Sequence, residues 1–174
     1  MPVEFAVLLQ EGVKRSSIFG EVERLARDLH MYLEEESSQE LILRHHVPGT
    51  SSAIIQGIVL RRAHQLGFED EKKGLFSSYE VSALRPDYFR RIGNTGILLE
   101  VERGKTTINN MDLLDLWKCH ICQHARYLFL VVPRVRTDGN GRITQEFSHV
   151  RKRLASFFTP GNYVNVDAVF LFGY

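Results

Sequence analysis

The chain has 174 residues, 44% of them hydrophobic and 25% charged, which is enough for one globular domain with a sizeable core and too few for two. A net charge of +1 excludes a polyanion binder that works through overall charge, so a nucleic-acid surface has to be a local basic patch: Arg85, Arg90, Arg91, Arg103 and Lys105, or Arg151-Lys152-Arg153. No apolar run reaches membrane-spanning length, the opening MPVEFAVLLQEGVKR carries no basic leader or cleavage site, and two cysteines make no disulfide scaffold, so an intracellular, cytoplasmic protein is expected.

Residues 2–15 fit either a short helix or a strand. Ser16-Ser17 then caps a helix with Ile18, Val22, Leu25, Leu29 and Leu33 at helical spacing, ending near Glu34-Glu35-Glu36. Leu41–Val47 reads as a strand closed by Pro48-Gly49. A second helix starts at Ser51 or Ser52 and stops at Gly67; Ala53, Ile54, Ile55, Ile58, Val59, Ala63 and Leu66 surround most of its circumference. A charged loop at 69–73 and a strand at Leu75–Val81 follow. Asn109-Asn110 caps a third helix with Met111, Leu114, Trp117 and Ile121 as its buried stripe. Tyr127–Val132 is the continuous apolar run of a strand buried on both faces. A loop over 134–142 turns at Asp138-Gly139-Asn140-Gly141, a fourth helix occupies about Thr144–Phe158, and Val166–Phe172 is a closing strand. Helices flanking a mixed sheet with an antiparallel hairpin in its middle satisfy this order, an α/β class with one domain over 1–174, a core over about 51–133 and a helical N-terminal extension over 1–36.

The hairpin carries the chemistry. Leu84–Ile92 and 97–102 are strand-like, and Gly93-Asn94-Thr95-Gly96 supplies the turn. If Ile92 faces Ile97, Asp87 faces Glu102, and the pleat gathers Asp87, Glu100 and Glu102 on one face with Leu98 beside them. Three carboxylates on one face repel one another unless a cation or protons intervene, which points to a divalent metal. The alternative is a solvated sheet face beside Arg103 and Lys105.

Pro86-Asp87 opening one strand and Glu100-Val101-Glu102 ending the next, followed by a helix and an apolar strand, resemble the PD-(D/E)xK superfamily of nucleases over about residues 51–133. The resemblance implies a restriction endonuclease-like fold and a metal-dependent phosphodiesterase, foremost a DNA endonuclease. In that reading Asp87 and Glu100 ligate Mg²⁺ or Mn²⁺, and Glu102 is a further ligand or a water-orienting base. The superfamily's usual lysine is replaced by Glu102, and Lys105 and Lys118 are the two residues able to take its part. An acid from an early helix, Glu21 or Glu23, is a further possible ligand, since the helix nearest the hairpin offers only Gln56. One active site per chain implies a homodimer for double-strand cleavage. Two other readings stay open: a catalytically inactive nuclease-fold protein that binds nucleic acid or serves assembly, and a subunit of a larger defence or mobile-element machine.

Other motifs carry less. Arg103-Gly104-Lys105-Thr106 lacks the earlier glycine of a nucleotide-binding loop, because Leu99 stands there. Cys119, His120, Cys122 and His124 diverge in pairs around a helix rather than converging on zinc, and His45-His46 would point to opposite faces of a strand.

Overall fold

The computed structural model of the chain describes residues 2–46, 52–70, 74–80, 84–104, 106–137 and 140–174. Lys105, Pro48-Gly49, Ser51, the end of the charged loop at 71–73, Val81 and the Asp138-Gly139 turn lie outside the described residues.

The elements in chain order are β1 (Glu4–Leu9), α1 (Ser17–Glu34), α2 (Glu36–His45), α3 (Ser52–Gln65), β2 (Glu69–Asp70), β3 (Tyr88–Ile92), β4 (Thr95–Val101), α4 (Met111–Ile121), β5 (Tyr127–Val132), β6 (Arg136–Thr137), β7 (Ile143–Thr144), α5 (Glu146–Ala155) and β8 (Ala168–Gly173). Six strands form one mixed sheet in the order β1-β8-β5-β4-β3-β2. β4, β5 and β8 run parallel, while β1, β3 and β2 pair antiparallel. The β3–β4 hairpin thus lies inside the sheet with a neighbour on each side.

Alternation along the central strands divides the core in two. Ile97, Leu99, Val101, Phe129, Val131, Phe170 and Phe172 face α1, α2 and α3. Leu98, Leu128, Leu130, Val132, Val169 and Leu171 face α4 and α5. A sheet covered on both faces needs strands that are apolar throughout, and β5 and β8 are buried along their whole length. The mixed α/β class and the two central apolar strands are as the sequence implies.

Several local readings change. Leu41–Val47 is not a strand: residues 41–45 belong to α2, and of Leu41, Ile42 and Leu43 only Ile42 is buried, four residues after buried Ser38. That period is helical, and the extended backbone of Glu35 (ψ 137°) starts a new helix with Glu36 in its first turn, where a carboxylate is favoured. Residues 75–80 form turns, with Ser77 N–H donating to the Gly74 carbonyl (3.2 Å) and Tyr79 N–H to that of Phe76 (3.1 Å). Adjacent Leu75 and Phe76 enter the same core layer, which a pleated strand does not permit. The 69–73 loop begins with β2, which pairs Glu69 with Phe89 and Asp70 with Tyr88. The ambiguous N-terminal stretch is the edge strand β1, and the 134–142 loop holds the small β6–β7 hairpin.

The largest correction concerns α4. Leu114 and Trp117 are exposed, while Asp112, Asp115, Leu116, Lys118 and Cys119 are buried. The helix turns a charged stripe inward because that stripe meets the acids of the hairpin.

Gly96 shows how tightly the hairpin is packed. A Cβ there would overlap the Phe89 ring and stand 2.8 Å from the His124 carbonyl oxygen, which is backbone and has little freedom to move. Gly96→Ala is therefore expected to cost about 1–3 kcal/mol of stability, read as a lower urea midpoint with unchanged slope.

Candidate active site

The hairpin register decides which acids meet. Ile92 pairs with Thr95 and Tyr88 with Leu99, so the loop is the two residues Gly93-Asn94 and Asp87 stands opposite Glu100, not Glu102. The expected register is off by two residues. Because the side-chain period is two, the slip leaves every residue on its expected face. Gly93 takes the left-handed conformation (φ 53°) that this tight loop requires.

Asp87 and Glu100 are locked to the open end of the hairpin by backbone N–H bonds. Asp87 Oδ2 accepts from the Val101 N–H (2.8 Å), and Glu100 Oε2 accepts from the Asp87 N–H (3.1 Å). The last pair of the hairpin ladder is Tyr88 with Leu99, and beyond it the Asp87 carboxylate supplies the acceptor for the Val101 N–H, continuing the pairing where the backbone ladder stops. On the far side Glu102 N–H donates to the Val131 carbonyl (2.8 Å), keeping the end of β4 tied to β5.

Helix α4 closes the site from the layer above Leu98, which is fully buried beneath it. Lys118 Nζ lies 2.5 Å from Glu100 Oε1 and 2.8 Å from Asp115 Oδ1, and reaches toward the Arg85 carbonyl at 3.5 Å. All three charged side chains are nearly inaccessible: Glu100 is 3% exposed, Asp115 0% and Lys118 6%. The carboxyl of Glu102 lies close enough to Asp115 for each to shift the other's ionisation. From α3, Gln56 Nε2 stands 3.4 Å from both oxygens of Asp87.

Four acids, Asp87, Glu100, Glu102 and Asp115, thus gather around one ammonium. Burial pushes every one of these carboxyls upward. For Glu100, the charge of Asp115 adds to burial and Lys118 opposes it. For Asp87, the Val101 N–H and Lys118 offset part of the rise. Asp115 rises through burial against the pull of Lys118. Glu102 is pushed up to about 8 by burial, by the charge of Asp115 and by a side-chain interaction with Asp115 that favours its protonated form. Burial pulls the Lys118 ammonium down, but Glu100 and Asp115 outweigh it and hold the lysine charged.

An all-oxygen, acid-rich donor set of this kind fits a hard divalent cation such as Mg²⁺ or Mn²⁺. Among the described residues no three His, Cys, Asp or Glu side chains form a ready-made metal cage. Mg²⁺ asks for less: one or two carboxylates with water and substrate oxygens complete its shell. Asp87 and Glu100, adjacent across the hairpin, are the residues able to provide them.

The other residues singled out in the sequence fall elsewhere. Glu21 pairs with Arg90 at 3.4 Å and Glu23 with Arg27 at 2.9 Å. Gln56, not an early acid, is the α-helical neighbour of Asp87. Cys119 and Cys122 are buried thiols, and His120 Nδ1 accepts from the Asn165 N–H at 2.8 Å. His45 ends α2 and His46 follows it, so neither lies in a strand. Arg90 donates to the Leu66 carbonyl, and Arg153 to Thr107 and Asn110, so part of the expected basic patches serves internal packing. Arg85, Arg91, Arg151 and Lys152 are exposed.

Asp115 is the site residue missing from the sequence reading. Its signal is the Asp115–Lys118 pair, three residues apart on the helix that follows the acidic strand.

Among solved structures, the chain is similar to restriction endonuclease BglII in its crystal complex with a 16-mer DNA, with a TM-score of 0.55 and 9% sequence identity over 99% of this chain and 76% of that one. No family model matches the sequence, and no curated protein matches it. At 9% identity the likeness concerns the fold, and the chain has a restriction endonuclease-like α/β fold.

The raised Glu102 gives the metal-free protein a defined pH response. A carboxyl lifted from 4.5 to about 8 on folding stabilises the native state below its unfolded value, and that stability is lost as pH rises toward 8. The melting temperature should therefore fall between pH 5 and pH 8, and Glu102→Gln should flatten the fall. A melting temperature that climbs through this window and is indifferent to Glu102→Gln contradicts the burial of an acid excess.

Proposed function

We propose that the chain is a divalent-metal-dependent nuclease that hydrolyses phosphodiester bonds in nucleic acid, foremost a DNA endonuclease. The observation that carries this reading is the placement of Asp87 and Glu100 together at the open end of the hairpin, Glu100 accepting from the Asp87 N–H and Asp87 from the Val101 N–H, with Lys118 directly against Glu100. The restriction endonuclease-like fold supports it, and the DNA in the BglII complex makes DNA the first substrate to try.

In this reading Asp87 and Glu100 hold Mg²⁺ or Mn²⁺. The bound ion supplies Lewis-acid stabilisation of the scissile phosphate and a more acidic water. Glu102 completes the acidic set as a further ligand or as the base that orients the attacking water. It stands where the superfamily usually carries lysine. Lys118 takes over that charge from α4, offsetting the negative charge that builds on the phosphate. Lys118 is preferred to Lys105 because its ammonium already sits at Glu100. With one such site per chain, cutting both strands calls for two copies, and a two-fold homodimer is the arrangement proposed.

One observation favours a second reading. Lys118 also serves as an internal counter-ion for Glu100, an arrangement that is stable with no metal and would suit an inactive nuclease-fold protein that binds DNA. Supercoiled plasmid incubated with Mg²⁺ or Mn²⁺ separates the two. Metal-dependent nicking or linearisation, blocked by EDTA and reduced by about two orders of magnitude or more in Asp87→Asn, is expected of the nuclease. DNA binding that weakens with salt and produces no cleavage would establish the binding module instead.

A further inference from the structure

Asp115 has no part in the roles just given, yet it is among the most deeply placed charges in the chain. It sits in the middle of α4 with 0% exposure, 2.8 Å from Lys118 Nζ. A buried carboxylate in a helix interior costs desolvation energy that its partners must offset, so the partners indicate what it is for.

The ammonium of Lys118 is divided between two carboxylates on different elements, Glu100 of β4 and Asp115 of α4. A divalent ion at Asp87 and Glu100 competes with that ammonium for Glu100. With Glu100 as its only anion, the lysine would either stay and block the metal or be left buried without a charged partner. Asp115 removes the conflict. It lies three residues before Lys118 on the same helix, so their pairing does not depend on the strand.

We propose that Asp115 is the positioning residue of the site, tethering Lys118 so that Glu100 is free to take a divalent ion while the ammonium stays beside the phosphate. This rests on the nuclease reading. It assigns Asp115 a task performed through Lys118 and not through the metal.

The test is a double-mutant cycle on the full chain: wild type, Asp115→Asn, Lys118→Met and the double variant, each checked for folding by circular dichroism and thermal melting. The first readout is Mn²⁺ affinity by electron paramagnetic resonance, which needs no turnover. In the wild-type background an untethered ammonium leans on Glu100, and Asp115→Asn should weaken Mn²⁺ binding about 10-fold. In the Lys118→Met background there is no ammonium to release, and the same substitution should change affinity less than about two-fold, a non-additivity of the kind such cycles detect. Asp115→Glu, which keeps the carboxylate, should recover most of the loss. If Lys118→Met does not fold, Lys118→Gln replaces it with a neutral donor of similar length.

Equal weakening in both backgrounds would overturn the proposal, because Asp115 would then act on the metal as a charge or ligand of its own. No weakening in either background would also overturn it. Plasmid cleavage by the wild type is scored separately. Coupled Mn²⁺ affinities without cleavage sink the nuclease reading and leave the tether standing, cleavage without coupling sinks the tether alone, and no Mn²⁺ binding by the wild type sinks both.

Discussion

Four carboxylates and one ammonium buried together at the end of a hairpin set the terms for the rest of this structure. Like charges in a poorly solvated space repel, and each buried acid resists ionisation. The chain meets this cost with backbone N–H bonds to the Asp87 and Glu100 carboxylates, a Glu102 carboxyl whose ionisation is held back beside Asp115, and Lys118 held between Glu100 and Asp115. The first fixes how the hairpin ends, and the last ties α4 to β4 and sets the rotation of α4 about its own axis. The exposed Trp117, nearly opposite Asp115 around the helix, follows from that rotation.

The cluster is tolerable because both layers around it are well packed. β5 and β8 are buried throughout, and they carry edge-to-face phenylalanine contacts on one side and aliphatic packing on the other. The segment joining β4 to α4 is held by a second buried network. Thr107 donates to Glu146 through its N–H (2.7 Å) and its hydroxyl (2.8 Å), and Arg153 faces Asp112 at 3.4 Å. Asn110, in the left-handed region at φ 56°, accepts from Arg153 where a helix-capping bond would otherwise be expected. Together these contacts set where α4 begins, and hence where Asp115 and Lys118 arrive over the sheet.

How much of this was legible in the sequence depends on whether apolar period alone decides an element. α1, α3, β5, α5 and β8 were legible from the sequence: α1 from its apolar period, and α3 and β5 from long apolar stretches, with no side-chain capping bond made by Ser16 at α1. The shared face of Asp87, Glu100 and Glu102 was legible too, and it survived a register error because the true two-residue loop shifts the pairing by an even number. Two segments misled because short apolar runs, Leu41-Ile42-Leu43 and Leu75-Phe76, carry no period of their own; in α2 and in the turns after Gly74, tertiary anchoring of one or two of these residues decides. α4 misled for a different reason. Its exposed side carries Leu114 and Trp117, while its buried side mixes Leu116 and Cys119 with Asp112, Asp115 and Lys118, whose partners are charged. No rule that sends apolar residues inward identifies Asp115, whereas an Asp and a Lys three apart on the helix after an acidic strand do carry that signal.

The central claim is that the acid excess at Asp87 and Glu100 exists to hold a divalent ion, with Lys118 giving way to it. Crystals of the protein grown with Mn²⁺ and measured for anomalous scattering test this directly. The account predicts a single strong peak bound by the Asp87 and Glu100 carboxylates, with Lys118 withdrawn from Glu100 and still paired to Asp115. Lys118 unmoved against Glu100, with no anomalous peak at saturating Mn²⁺, would show that the lysine is the permanent counter-ion of the site and would contradict the account.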